Sequence, residues 1–244
     1  MGDWFKDWFA SDEYTEVYRH RDNEDAKNLF ELILTNVPVH PGSTVFDIAC
    51  GAGRHSLLFA VRHCKVTGFD LSLNLLRTAK RQADASGLKL NLFNADLRSL
   101  CVKGKFDIIV NLFTSFGYFE SDEDNFLLFR NAGRLLNNGG YFIFDFFNEV
   151  HLRNALVPVS SERIAGKEVI QKRRIVNDRI NKEIIIKDGE TERTYFESVR
   201  LYNHNQIILQ FEKEGFFIQK IFGDYDGKEF NSGLSPRIII IARR

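Results

Sequence analysis

The chain has 244 residues, 44% of them apolar, and balances 33 basic against 33 acidic side chains. That size fits one large domain, or one domain with a sizeable insertion, around an ordinary core. The charge balance excludes long-range attraction to nucleic acid or anionic membrane, and no stretch approaches the ~20 apolar residues of a membrane span.

Three cysteines, Cys50, Cys64 and Cys101, are scattered, with no C-x-x-C pair and no zinc spacing. No metal site is therefore expected. The sparse, odd count suits a reducing compartment. The N-terminal Met1-Gly2-Asp3-Trp4 is broken by charge and does not read as a signal peptide. A cytoplasmic protein is expected.

Residues 24–36 place Ala26, Leu29, Phe30, Ile33 and Leu34 at helical spacing, ended by Pro38 and Pro41-Gly42. Residues 44–49 read as a strand, followed by a glycine turn and a helix over 54–62. Residues 65–70 form a second strand, and Ser72 caps the helix after it. Residues 88–93 and 106–111 are the third and fourth strands. A helix over 126–136 leads through Asn137-Asn138-Gly139-Gly140 to a fifth strand, 141–145. Strands alternating with helices predict a parallel sheet.

The rhythm then changes. Segments 168–176, 180–187 and 194–201 alternate in the strand manner, separated by Asn177-Asp178 and Asp188-Gly189. Such dipeptides mark hairpins. Residues 163–202 are thus expected as an antiparallel β insertion within a single domain spanning 1–244. Its basic run Lys172-Arg173-Arg174 reads as solvated strand positions. A helix over 205–214 and two strands, 216–222 and 237–242, complete the chain. The expected fold is α/β: a doubly wound, seven-stranded, mostly parallel, Rossmann-like sheet with an antiparallel insertion.

Five successive strands end on a polar residue or turn: Asp47 to Gly53, Asp70, Asp96, Asn111 and Asp145. Ligands of open parallel sheets bind beyond the carboxyl ends of the strands, so these positions converge. Gly51 and Gly53 let backbone approach a ligand. Asp70, nineteen positions after Gly51, can accept both hydroxyls of a ribose. A dinucleotide loop would read G-x-G-x-x-G, but here the third position is Ser56. Asp47 before the loop would repel a pyrophosphate and attract a positively charged amine or sulfonium. An aminoacyl-nucleoside is favoured over a dinucleotide.

Residues 45–55, Val45-Phe46-Asp47-Ile48-Ala49-Cys50-Gly51-Ala52-Gly53-Arg54-His55, resemble the first motif of class I S-adenosylmethionine-dependent methyltransferases. Ala49 replaces that motif's first glycine, a change expected to spare binding because alanine is small. Residues 66–72 resemble the second motif, Asn94-Ala95-Asp96-Leu97 the third and 106–111 the fourth. The resemblance implies S-adenosylmethionine as cofactor. It implies that Asp47, Ala49, Cys50, Gly51 and Gly53 form its loop, with Asp70 and Leu71 at the ribose. Asp96 would accept from the adenine amino group, Leu97 would pack near the ring, and Asn111, Leu112 and Phe113 would lie beside the methionine moiety. Tyr18 and Arg21 resemble N-terminal residues that contact the methionine carboxylate.

Segment 112–119 resembles the stretch after the fourth strand in small-molecule N- and O-methyltransferases, with Phe113, Phe116 and Phe119 as acceptor mouth or as core. A base for the acceptor could come from Tyr118, Asp145, His151 or His204. Asp224 and Tyr225 are candidates to face the acceptor. The Asn-Pro-Pro-Tyr arrangement of enzymes that methylate nucleic-acid amines is absent, which disfavours nucleic acid. The expected activity is methyl transfer to a small N or O acceptor. The alternatives are a tRNA- or protein-modifying methyltransferase and a non-catalytic binder, with a dehydrogenase more distant. The insertion would serve as a lid or as the surface of a homodimer.

Overall fold

The structure is a computed structural model and describes residues 4–18 and 23–244. Helices α1 (Trp4–Ala10) and α2 (Asp12–Val17) open it, joined at Ser11, whose hydroxyl caps α2 by accepting from the Tyr14 N–H. Helix α3 (Asn23–Asn36) follows with its apolar face buried. Then strands and helices alternate as expected: β1 (Thr44–Ile48), α4 (Arg54–Val61), β2 (Lys65–Asp70), α5 (Leu73–Ala85), β3 (Leu90–Asn94), β4 (Phe106–Asn111), α6 (Asp122–Leu135) and β5 (Leu136–Phe147). Ser72 caps α5, accepting from the Leu75 N–H.

After β5 come α7 (Glu149–Asn154), β6 (Val159–Ile164), β7 (Lys167–Val176), β8 (Arg179–Asp188), β9 (Thr191–Arg200), α8 (His204–Lys213), β10 (Phe217–Phe222) and β11 (Arg237–Arg243). The main sheet has seven strands in the order β10-β11-β5-β4-β1-β2-β3. Pairs from β5 to β3 are parallel, while β11 runs antiparallel to both β5 and β10. The expected doubly wound sheet is present. Its central strands are covered on both faces, which is why Phe142, Ile143, Phe144 and Ile238 to Ile241 form nearly continuous apolar runs. β5 begins five residues earlier than expected, because Leu136 pairs with Phe106 across a register shift.

The second sheet is antiparallel, in the order β6-β7-β8-β9. Strand β6 begins outside the expected insertion. Val159-Ser160-Ser161-Glu162-Arg163-Ile164 has only Val159 and Ile164 as apolar residues, so pairing with β7 rather than local pattern makes it a strand. Asn177 and Asp178 close the β7–β8 hairpin with φ of 51° and 54°, the paired positive values of a type I′ turn.

Helices α1 and α2 pack on this second sheet. Trp8, Val17 and Tyr18 share a core with Val169, Ile184 and Ile186. Polar links tie the same surfaces. The Trp8 indole N–H donates to Glu197 Oε1 at 2.7 Å, Lys167 pairs with Glu16 at 2.7 Å, and Arg193 pairs with Glu13. At their other side, the Ser72 hydroxyl donates to the Phe9 carbonyl and the Asn74 amide to the Ala10 carbonyl. The N-terminal helices thus bridge the carboxyl edge of the main sheet and the β insertion. Among the described residues, no helix is long and apolar enough to cross a membrane.

Candidate functional site

The carboxyl ends of β1, β2 and β4 bound the site. The Cys50 N–H donates to the Phe69 carbonyl, turning the chain sharply after β1. Ala49, Gly51 and Gly53 then take φ of 58°, 55° and 77°. Ala49 is therefore a strained position. The left-handed region costs a non-glycine residue roughly 1–2 kcal/mol. Its substitution for glycine therefore carries a backbone cost, at a position that lines the first and second cavities. At Gly53 a Cβ would meet Ala79 Cβ at 2.7 Å, so that glycine serves helix packing. A Cβ at Gly51 would meet nothing nearer than 4.0 Å, so that glycine leaves open space.

Asp70 is buried at the tip of β2. Its Oδ2 accepts from the Gly51 N–H and its Oδ1 from the Ser72 N–H, each at 2.8 Å. Burial raises its pKa, and these backbone donors oppose the rise. The carboxylate keeps acceptor capacity for a further donor. Asn94 fixes the turn by donating to the Asp70 and Leu71 carbonyls.

Asp47 is also buried and accepts from the Ser56 hydroxyl at 2.5 Å. Burial, with the charge of Asp70 adding to it, pushes its carboxyl up to about 7. Below the ordinary value of 3.8 the group is protonated in folded and unfolded chains alike. Above it, the unfolded carboxyl ionises while the folded one keeps its proton to about 7. The stabilising contribution is therefore complete below pH 3.8 and is lost as pH rises through about 7. Denaturant unfolding is expected to show the wild type less stable at about pH 8 than at about pH 5. The difference should reach about 2–3 kcal/mol, since each tenfold fall in proton concentration within that window removes about 1.4 kcal/mol. Asp47→Asn should flatten that difference, and an unchanged slope in the variant would refute the assignment.

Three cavities meet here. The first, about 750 Å³, is lined by Asp47, Ala49, Cys50, Gly51, Leu112, Phe113 and Tyr18. The second, about 110 Å³, lies between Asp70, Leu71, Asp96, Leu97 and the Phe5 and Phe9 side chains. The third, about 450 Å³, opens between the main sheet and the β insertion. Tyr14 and Tyr118 line all three. Tyr118 is packed among Trp4, Phe5 and Phe9, with ring centroids 5.5, 6.4 and 5.6 Å away.

The sequence-derived candidates fall into distinct places. Asp47, Asp70 and the glycine loop converge as expected. Asp96 faces the second cavity, yet its carboxylate is forked by Arg98, with Nη2 at 2.6 Å. Arg98 in turn lies 4.7 Å over the Phe119 ring. Asn111 sits beneath the wall rather than on it. Its amide donates to the Ile48 and Ser115 carbonyls at 3.0 and 3.1 Å, binding the end of β1 to the segment after β4. The Tyr18 hydroxyl donates to Glu197 and accepts from Lys182. Arg21 lies outside the described residues.

Of the aromatic triplet, Phe116 packs in the core against Phe129, Phe144 and Phe146 and also lines the second cavity. Phe119 lines the second cavity, and Phe113 the first and third, stacked on Tyr225 at 5.4 Å. Asp145 is fully buried. Arg237 donates to its Oδ1 from Nε and Nη2 at 2.9 and 2.7 Å, while the Phe113 N–H and Tyr225 hydroxyl donate to Oδ2 at 2.9 and 3.1 Å. It is an anchor for the wall, with both oxygens already engaged. Asp224 accepts from the N–H groups of Asp226 and Lys228, shaping the turn, and only Tyr225 reaches the third cavity. His151 and His204 line none of the three cavities. His204 opens α8 behind the Asn203–Gln206 capping box, its ring 5.8 Å from Phe230.

Other residues of the site were not among the candidates. His55 is buried beside Phe113, its Nε2 without a partner among the described residues, and burial lowers its pKa to about 3, so it stays neutral. Trp4, Phe5 and Phe9 close the cavities from α1. The doubled Trp-Phe pairs at 4–5 and 8–9, one helical turn apart, are the signal that marks this face in the sequence. The basic run 172–174 divides by strand period. Lys172 and Arg174 are exposed as expected, but Arg173 turns to the third cavity.

Gly117 joins the wall to the insertion. The Arg200 N–H donates to its carbonyl at 2.7 Å, and Arg179 donates to the carbonyls of Tyr118 and Phe119. With φ at +85°, a Cβ there would meet the Arg200 carbonyl oxygen at 2.8 Å. Gly117→Ala is expected to destabilise the fold by about 2–3 kcal/mol, measurable as a lower denaturation midpoint. A wild-type midpoint would show that the junction yields without cost.

The methyltransferase domain model matches residues 45–140. The putative methyltransferase YqeM of Bacillus subtilis (strain 168) is 32% identical over 102 residues, covering 41% of each chain. The dTDP-3-amino-3,4,6-trideoxy-alpha-D-glucopyranose N,N-dimethyltransferase of Streptomyces venezuelae is 28% identical over 120 residues, 49% of this chain and 48% of that one. The chain thus spans about half or less of the length of these curated relatives. In fold, it is similar to an S-adenosylmethionine-dependent methyltransferase from Clostridium acetobutylicum ATCC 824, with TM-score 0.80 and 21% identity over 94% of both chains. The CcbJ methyltransferase from Streptomyces caelestis gives a TM-score of 0.79 at 15% identity, over 94% of this chain and 95% of that one. The matched region holds the glycine loop and the acids at the tips of β1 and β2, and the whole chain shares its fold with these S-adenosylmethionine-dependent methyltransferase structures.

Proposed function

We propose that the chain transfers a methyl group from S-adenosylmethionine to a small-molecule N or O acceptor. The observation that carries this reading is the meeting of three cavities at Tyr118, two at the nucleotide loop and one beneath the β insertion. The residues fit the cofactor. Open space at Gly51, lone pairs left on Asp70, and the aromatic and apolar walls of the second cavity suit an aminoacyl-nucleoside. When bound, that cofactor supplies an electrophilic methyl on a sulfonium. Asp70 would hold the ribose hydroxyls, and Asp47 would face the positively charged end.

The chain's own part in the reaction is positioning and exclusion of water. Trp4, Phe5, Phe9 and Tyr118 form an aromatic partition between the cavities, and aromatic faces attract a cation by roughly 0.5–2 kcal/mol. The β insertion, expected over 163–202, serves as the acceptor lid in this reading, because Ile180, Lys182, Glu197 and Val199 wall the third cavity. The relatives that act on amino sugars support a small acceptor over a macromolecule. A cytoplasmic setting belongs to the same reading, supported by three cysteines that are all free.

The test is S-adenosylhomocysteine release with labelled S-adenosylmethionine across a panel of small amines and alcohols. Acceptor-dependent release is expected. Binding of the cofactor without release for any acceptor would mark a non-catalytic binder.

A further inference from the structure

Arg173, Lys182 and Glu197 form one row across the β insertion. Arg173 is paired with Lys182 in the β7–β8 register, and Lys182 with Glu197 in the β8–β9 register. All three line the third cavity. Like charges directly opposite one another are unfavourable. Lys182 is compensated, since its Nζ lies 2.9 Å from Glu197 Oε2. Arg237, the other cation on this wall, is compensated by Asp145. Arg173 differs. Its guanidinium donates to the Val157 carbonyl at 3.4 Å, the Ser160 hydroxyl at 3.0 Å and the Gln171 side-chain oxygen at 2.6 Å, all neutral. Asp25, the remaining acid on the wall, is exposed on α3 and makes no ion pair with it.

The neutral partners fix the plane of the fork and, among the described residues, leave its charge without an acidic partner. A guanidinium held this way is set for carboxylate or phosphate oxygens. A second donor points to the same chemistry. The Trp4 indole N–H is buried at the same cavity and has no partner among the described residues. A buried donor left unpaired costs about 1–3 kcal/mol, which a ligand oxygen would recover.

We propose that Arg173 holds an oxyanion of the methyl acceptor, so that the substrate class is small molecules bearing a carboxylate or a phosphate. This rests on the third cavity being the acceptor chamber, as read above. Arg173 is a specificity residue in this assignment and takes no part in cofactor binding, since it lines neither of the two cofactor cavities.

The experiment is calorimetric titration of the S-adenosylhomocysteine-loaded protein with inorganic pyrophosphate and, separately, with succinate. Saturable binding of at least one is expected, weakened about tenfold or more in Arg173→Gln and partly retained in Arg173→Lys, which keeps the charge but loses the fork. S-adenosylhomocysteine affinity should be equal in all three proteins, which also shows that the variants fold. Preference for pyrophosphate assigns a phosphate-bearing acceptor, and preference for succinate a carboxylate-bearing one. Absence of binding by either anion, or equal binding by Arg173→Gln, overturns the proposal. If the wild type fails to bind S-adenosylhomocysteine, the cofactor reading falls instead, and the same titrations on the unloaded chain still decide this one.

Discussion

Asp70→Ala is expected to weaken S-adenosylhomocysteine binding by roughly 100-fold or more. A hydrogen bond to a charged acceptor is worth about 1.5–3 kcal/mol, and two ribose hydroxyls would lose theirs together. The substitution also strips the Gly51 and Ser72 N–H groups of their buried acceptor, loosening the loop that the ligand sits on. Asp70→Asn separates the two effects. It retains one accepting oxygen, so the backbone frame should suffer less while ribose recognition still falls. Calorimetric titration of the three proteins reads this directly. Equal affinity in wild type and Asp70→Ala would remove Asp70 from the binding site.

Asp145→Ala is the substitution with the largest expected cost in stability, about 3–5 kcal/mol, because it removes the buried carboxylate oxygen to which the partly buried Arg237 cation donates twice. Arg237 also donates to the Thr114 hydroxyl at 2.9 Å, and Asp145 holds the Phe113 N–H. Phe113 and Thr114 both sit at positive φ, 57° and 67°. That strained pair persists only while its surroundings hold it. Loss of Asp145 should therefore reshape the wall between the first and third cavities as well as lower the denaturation midpoint. A double replacement, Asp145→Leu with Arg237→Leu, removes both charges and should recover part of the stability but not the conformation of Phe113. A single variant as stable as wild type would show that the pair contributes nothing net.

Much of the main sheet was legible because its signals are local. Strand periods, glycine turns and the Ser72 cap are written in neighbouring residues. The positions of Asp47 and Asp70 followed from strand ends, since a parallel sheet brings its carboxyl edges together whatever the details. Strand β6 was not legible, because it owes its extended form to β7. Among the candidate bases, Asp145 and His204 could be named by type and chain position only. What Asp145 touches depends on Arg237 and Tyr225, 92 and 80 residues away in sequence. Arg173 looks no different from its neighbours Lys172 and Arg174 in sequence, because alternation alone does not say which face of the insertion is covered.

The loop from Asp47 to Gly53, the acids that follow it and the order of strands are properties of the sequence by itself. They depend on backbone geometry and on spacing within single βα units, and they suffice to indicate the kind of cofactor. The third cavity was decided only by tertiary structure. It is assembled from α1, the segment after β4, three strands of the insertion and the turn before β11, elements that no local pattern relates. Packing α1 against β9 brings the aromatic partition over the first two cavities, and folding the insertion back over the sheet turns Arg173 inward. Burial and long-range pairing set those side chains' partners, charges and chemistry, and neither is visible until the chain has closed on itself.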